Sequence, residues 1–280
     1  MDKTKNCTTK RMTLDDEKNI IKYYKEGKSG SEILELLNYK FKTTKTVYDI
    51  LRKHNIDMLT KSDRVIVDNF YFSNINTPNK AYILGLMLTD GWVFPKRNQV
   101  AIQLQEDDLN IIEKIKEEWG TDNKIITCTK KPFKGENGNI YQPKPLKRIL
   151  VCSKKMIEDL KGHGIVNKKS LIVTLPILDK YTSHLFRGII DGDGSIYIHS
   201  QSKEPCVRFL GSHYLIAQIC LFLHLHLNLK YHRPSMNNNI SFVDYSSQEE
   251  VIPLVNWLYK DINNSFCIER KKDVIKDIIS

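Results

Sequence analysis

What this sequence lacks narrows it first. It has no run of about 18 apolar residues, the length a helix needs to cross a bilayer. Its start, MDKTKNCTTKRM, is charged from the second residue and has no apolar stretch, so it is not a secretory signal, and an intracellular, non-secreted protein is expected. The cysteines (Cys7, Cys128, Cys152, Cys206, Cys220, Cys267) are scattered, with no pair at the two-residue spacing of zinc sites; reduced thiols are expected rather than a disulfide framework or structural zinc. Acids are in the minority: 33 Asp and Glu face 43 Lys and Arg, and the net charge of +10 points to a polyanionic partner. What is present, 280 residues of which 41% are hydrophobic, suffices for two or three packed units.

Residues 1–60 read as three short helices. Thr13 caps the first, Asp15, Asp16 and Glu17 occupy its first turn where the helix dipole favours acids, and Gly27 stops it. Ser29 or Ser31 caps the second, with Ile33, Leu34 and Leu37 at helical spacing. The third, TTKTVYDILRKHN, buries Val47, Ile50 and Leu51 and keeps Thr44, Lys45, Tyr48 and Arg52 for an outer face. This is the pattern of a helix-turn-helix DNA-binding domain. Residues 61–78, with NFYFSNINTPNK, lose all period and read as a linker or docking segment.

Beyond it lies an internal repeat, residues 79–178 and 179–280. AYILGLMLTDGWVF and HLFRGIIDGDGSIYI share an apolar helical run, a central glycine, then Asp-Gly and a strand-like aromatic stretch. Each half continues as two strands, a helix, two strands and a helix, which makes the expected fold α+β: two pseudo-symmetric αββαββα repeats behind a small all-α domain. Helices on one face of each four-stranded sheet leave the other free, with Gln103, Gln105 and Arg208 pointing outward by the period of two. Two such sheets related by a pseudo-twofold form a saddle suited to a nucleic-acid duplex.

Asp90 and Asp193 end the two repeated helices. An acid there faces the negative end of the helix dipole, at a cost of about 0.3 to 1 kcal/mol. The following Gly91 and Gly194 are able to take the left-handed conformation that ends a helix. Gly85 and Gly188, lacking side chains, let the two helices pack closely, which brings both carboxylates to one end. A divalent cation relieves both the dipole and the mutual repulsion; Mg²⁺ suits carboxylate, water and phosphate oxygens best, and Mn²⁺ or Ca²⁺ also fit. DGDGS at 191–195 opens like a calcium loop, but its twelfth position is Ser202 where a bidentate Glu is needed, so that reading fails.

ILGLMLTDG at 83–91 and FRGIIDGDG at 186–194 resemble the two motifs of single-chain LAGLIDADG homing endonucleases, and the resemblance spans roughly residues 66–280. It implies a monomer that straddles a long, near-asymmetric site on double-stranded DNA and cuts both strands across the minor groove. By position, Asp90 and Asp193 become the metal ligands. The basic residue near the end of each half falls on Lys169 and Lys271, with Lys168 and Arg270 as neighbours. Gln103 or Gln105 belongs to the solvent network, the second half offering only Gly211 or Ser212. The first motif departs from the second in carrying Leu88 where Asp191 stands. Rival expectations are a non-catalytic DNA-binding regulator, in which the motif acids are lost, and an intron maturase binding RNA.

Overall fold

The computed structural model describes residues 12–26, 28–38, 43–58, 66–135, 138–166, 173–237, 240–262 and 266–279. Two compact units result, residues 1–65 and 66–280. The expected stop at Gly27 and the candidates Lys168 and Lys169 lie outside the described residues.

The first unit is three helices, α1 (Leu14–Lys25), α2 (Gly30–Leu36) and α3 (Thr44–Lys53). Thr13 and Ser29 each close a reciprocal capping box, with Asp16 and Glu32. Ile20, Tyr24, Ile33, Leu34, Val47, Ile50 and Leu51 form the core. On α3, Lys45 and Arg52 are exposed and Thr44 is half-buried. Arg52 is paired with Asp49 one turn earlier, at 2.8 Å. Tyr48 departs from the outer-face expectation: its half-buried ring lies over Gly30 and meets Tyr24 edge-on with centroids 6.4 Å apart. The missing side chain at Gly30 leaves the space that draws the ring inward.

The second unit begins earlier than the repeat. Tyr71 and Phe72, in the stretch expected to be a linker, are fully buried in its core and pack edge to face with each other, Phe72 doing the same with Trp119. The first half then runs α4 (Pro78–Leu88), β1 (Gly91–Phe94), β2 (Gln99–Gln105), α5 (Leu109–Glu118), β3 (Ile126–Cys128), a ribbon of β4 (Phe133–Lys134) and β5 (Ile140–Tyr141), β6 (Leu146–Cys152) and α6 (Lys154–Gly162). The second runs α7 (Thr182–Gly192), β7 (Ser195–Ile198), β8 (Pro205–Gly211), α8 (His213–Leu227), β9 (Ser235–Asn237), β10 (Ile240–Tyr245), α9 (Gln248–Tyr259) and α10 (Glu269–Ile279).

The sheets share one plan, β1-β2-β6-β3 and β7-β8-β10-β9, antiparallel throughout. On β2 the alternation puts Val100, Ile102 and Leu104 in the core with Ile111, Ile112 and Ile115 of α5; on β8, Val207 and Phe209 face Ile216 and Ile219 of α8. The opposite sheet faces carry the polar set. Helices α4 and α7 lie between the halves. Every residue of α4 from Ala81 to Leu88 is buried, as a helix apolar on all sides must be. The ribbon β4–β5 was not legible in the sequence, and β9 begins only at Ser235, the last residue of the KYHRPS stretch expected to form it.

Candidate active site at the paired helix ends

Gly85 and Gly188 face each other where α4 crosses α7. A methyl on Gly85 would overlap the carbonyl oxygen of Leu185 and come within 2.9 Å of the Cα of Gly188. On Gly188 it would overlap the carbonyl oxygen of Tyr82 and lie 3.0 Å from the Cα of Gly85. Backbone thus touches backbone, as glycine alone permits.

The same contact joins the carboxyl ends of the two helices. Thr89 caps the carboxyl end of α4, and half-buried Asp90 fills the turn before β1; Asp193 caps the end of α7, is exposed and leads into β7. A side chain at Gly192 would overlap the Thr89 hydroxyl and come within 2.9 Å of Asp90 Oδ2. The carboxylate of the first half therefore rests in a cradle of the second half's helix, one residue before Asp193.

Gly91 and Gly194 do not take the expected left-handed conformation; the described glycines with positive φ are Gly120, Gly138 and Gly164. Their demand is for space. A Cβ at Gly91 would stand 2.6 Å from the Cα of Met87, and one at Gly194 would stand 2.7 Å from the Cα of Ile190 and 2.8 Å from the Arg208 carbonyl oxygen. Each outgoing strand folds back over the last turn of its own helix, and a side chain has no room there.

Lys271, expected to act on water or charge, is 5% exposed. Its ammonium donates to the carbonyl oxygens of Ile190 (2.5 Å), Asp191 (3.0 Å) and Gly194 (2.9 Å). A lysine has three hydrogens to donate, so the set is complete. It sits at the negative pole of α7 and satisfies carbonyls that the helix leaves open. Burial pulls its pKa down to about 8. Its neighbour Arg270 is held by both oxygens of Asp108, at 3.1 and 2.9 Å.

Beneath this end lies a buried polar network that the sequence reading missed. Asp191 Oδ2 accepts from the Tyr82 hydroxyl and the Ile268 amide, both at 2.8 Å, while Oδ1 has no hydrogen-bond partner among the described residues. Burial raises the Asp191 pKa to about 6, against the opposing pull of Lys271. Arg187, fully buried one turn earlier, donates to the carbonyls of Phe266 (2.9 Å) and Leu258 (2.5 Å) and meets His184 Nδ1 at 2.7 Å. His184 is held near pKa 4 by burial and by Arg187. The available signal was Arg187 and Asp191, two charges one turn apart in an otherwise apolar helix.

On the polar sheet faces, Gln103 lies nearer the helix ends than Gln105: its backbone N–H donates to the Asp90 carbonyl at 3.4 Å, and exposed Gln105 stands two residues farther along β2, about 7 Å away. Opposite Gln103 in β6 is Arg148, whose guanidinium lies over the Trp92 ring at 5.5 Å. Neither Arg148 nor Trp92 was anticipated. In the second sheet Arg208 is not a lone cation. It binds both oxygens of Asp244, at 2.6 and 2.7 Å, and lies 4.7 Å above Phe242.

Among the described residues no three His, Cys, Asp or Glu side chains are gathered as a metal-ligating group. The donors at the helix ends are two carboxylates. They fit a hard cation that takes its other ligands from water and phosphate.

No protein-family model matches this chain, and no curated protein matches it. Similar solved structures are the I-LtrWI LAGLIDADG homing endonuclease bound to target DNA (12% identity, 75% of this chain and 90% of that one, TM-score 0.45), the LAGLIDADG meganuclease I-AabMI bound to uncleaved DNA (15%, 72% and 89%, 0.43) and the LAGLIDADG homing endonuclease I-GzeII in complex with its DNA target (12%, 72% and 89%, 0.46). These three solved structures are LAGLIDADG homing endonucleases or meganucleases.

Proposed function

We propose that the chain is a site-specific DNA endonuclease that works as a monomer and cleaves at the joined ends of α4 and α7. The observation that carries this reading is the glycine-to-glycine crossing, which seats the Asp90 carboxylate against Gly192 and so beside the helix end that bears Asp193. Two acids at two negative helix poles are mutually destabilising without a counter-charge.

Asp90 and Asp193 would hold Mg²⁺, with Mn²⁺ or Ca²⁺ as substitutes. When bound, the cation supplies charge neutralisation at a phosphodiester and lowers the pKa of coordinated water. The protein's own groups do the rest. Lys271 neutralises the end of α7 and fixes the turn from which Asp193 projects. Gln103 and Arg148 lie on the adjoining sheet face, where they fit polar contacts with a duplex. Lys45 and Arg52 on α3 would add phosphate contacts from the first unit.

The test is incubation of the purified chain with Mg²⁺ and duplex DNA from its gene's insertion site, beside Asp90→Asn and Asp193→Asn. Double-strand cutting by the wild type alone, with DNA binding retained in both variants, is the expected result. Specific binding without cutting by any form would replace this reading with a DNA-binding regulator, and preference for structured RNA would replace it with a maturase.

A further inference from the structure

The ribbon β4–β5 breaks the symmetry of the two halves. In the first sheet the edge strand β3 and its neighbour β6 are joined through residues 129–145, and the ribbon stands in that connection; in the second sheet β9 and β10 are joined through residues 238–239 alone. It therefore departs from the outermost edge of its sheet, three strand spacings or about 14 Å from β1, the strand that follows Asp90.

Its composition is unusual for an exposed loop. Phe133 pairs with Tyr141 across the ribbon and the rings stack, centroids 5.8 Å apart and 25° between planes. Both rings stay in solvent, at 56% and 44% exposure, and Ile140 is 78% exposed. None of the three belongs to the core. A two-stranded ribbon with so little to bury is marginal by itself. In the sequence the rings are flanked by Lys130, Lys131, Lys134 and Lys144, of which Lys144 pairs with Asp107 and the other three are exposed. Aromatic rings interleaved with lysines match a nucleic-acid surface, where cations meet phosphates and apolar rings meet sugar and base. A two-stranded ribbon also has a width that the major groove admits.

We propose that β4–β5 is a DNA arm belonging to the first half only, which grips the duplex beyond the edge of the sheet and makes the bound site longer on that side. The proposal rests on the endonuclease reading above. Lys134 is six residue steps from Cys128, a reach of at most about 20 Å or roughly six base pairs.

The full chain carrying Asp90→Asn and Asp193→Asn, which binds without cutting, is used to select a duplex from a random-sequence DNA library. Hydroxyl-radical footprints on that duplex are compared with those of the same protein carrying Phe133→Ser, Tyr141→Ser, Lys130→Gln, Lys131→Gln and Lys134→Gln. All five positions are surface positions, so circular dichroism should be unchanged. Loss of protection over up to about six base pairs at one end only is expected. The slope of log affinity against log salt should become shallower by about 3, near 0.9 per lost phosphate contact. An identical footprint and slope in the two proteins would overturn the arm and leave the endonuclease reading standing. Failure to enrich any duplex would bring down both.

Discussion

Replacing Gly85 with alanine gives the sharpest test of how the helix ends are held. The added methyl meets the Leu185 carbonyl and the Gly188 Cα, the latter at 2.9 Å where ordinary contact begins at 3.4 Å. Both obstacles are backbone, so no side chain can swing away and α4 and α7 must separate by at least half an ångström. Overpacking of this kind costs about 1 to 3 kcal/mol. Alanine's better helix propensity returns up to about 1 kcal/mol. With an all-backbone clash the net destabilisation should be about 2 kcal/mol, read as a urea midpoint lower by roughly 1 M. Cleavage should suffer more than stability, because Asp90 sits two residues past the end of α4 and five past Gly85, and misplacement by about 1 Å can cost 100-fold. Gly162→Ala is the control: it lies at the end of α6 with nothing within 4 Å of an added methyl, so it should be neutral or slightly stabilising. Gly85→Ala with wild-type stability and undiminished cutting would refute the close-packing account.

Lys271→Met should destabilise the second unit by about 3 kcal/mol in urea titration, since it strips three carbonyls of their donor and leaves Asp191 without its nearest opposing charge; a loss below 1 kcal/mol would contradict the capping role. His184 has a folded pKa of about 4 against an ordinary 6.5, so the unfolded chain binds the proton more readily. Its contribution is whole above pH 6.5 and is lost as pH falls toward 4, by on the order of 1 kcal/mol per unit. Asp191, raised to about 6, works in the opposite direction over part of that window. The measurement is therefore the difference between wild type and His184→Gln, which should shrink on acidification; a difference constant from pH 7 to 4.5 would refute it. Removing residues 1–65 should weaken DNA binding and leave the position of cleavage unchanged, as a gel-shift titration and sequencing of the cut ends would show.

The parts legible in the sequence were those written twice. Asp90 with Asp193 and Gly85 with Gly188 stood out because one copy vouched for the other, and the shared strand order followed from the same duplication. Gly91 and Gly194 were located correctly and explained wrongly, because a left-handed cap and a strand folding back on its helix both require glycine. Lys271, Arg187 and Tyr82 were opaque in role. Apart from His184 beside Arg187, their partners lie 71 to 109 residues away in the chain, and no local pattern announces a ligand at that distance. The ribbon escaped because strands of two residues among Gly, Asn and Pro leave no periodicity to read.

The hydrogen bond from Tyr82 to Asp191 has a meaning for assembly. The offset that maps Gly85 onto Gly188 and Asp90 onto Asp193 maps Tyr82 onto Leu185 and Leu88 onto Asp191. Two copies of the first half would offer the hydroxyl with no carboxylate to receive it; two copies of the second would bury a carboxylate with no hydroxyl to meet it. Only the unlike pair satisfies both. The bond acts as a key that fits the unlike pairing of the two helices, so the halves are not interchangeable.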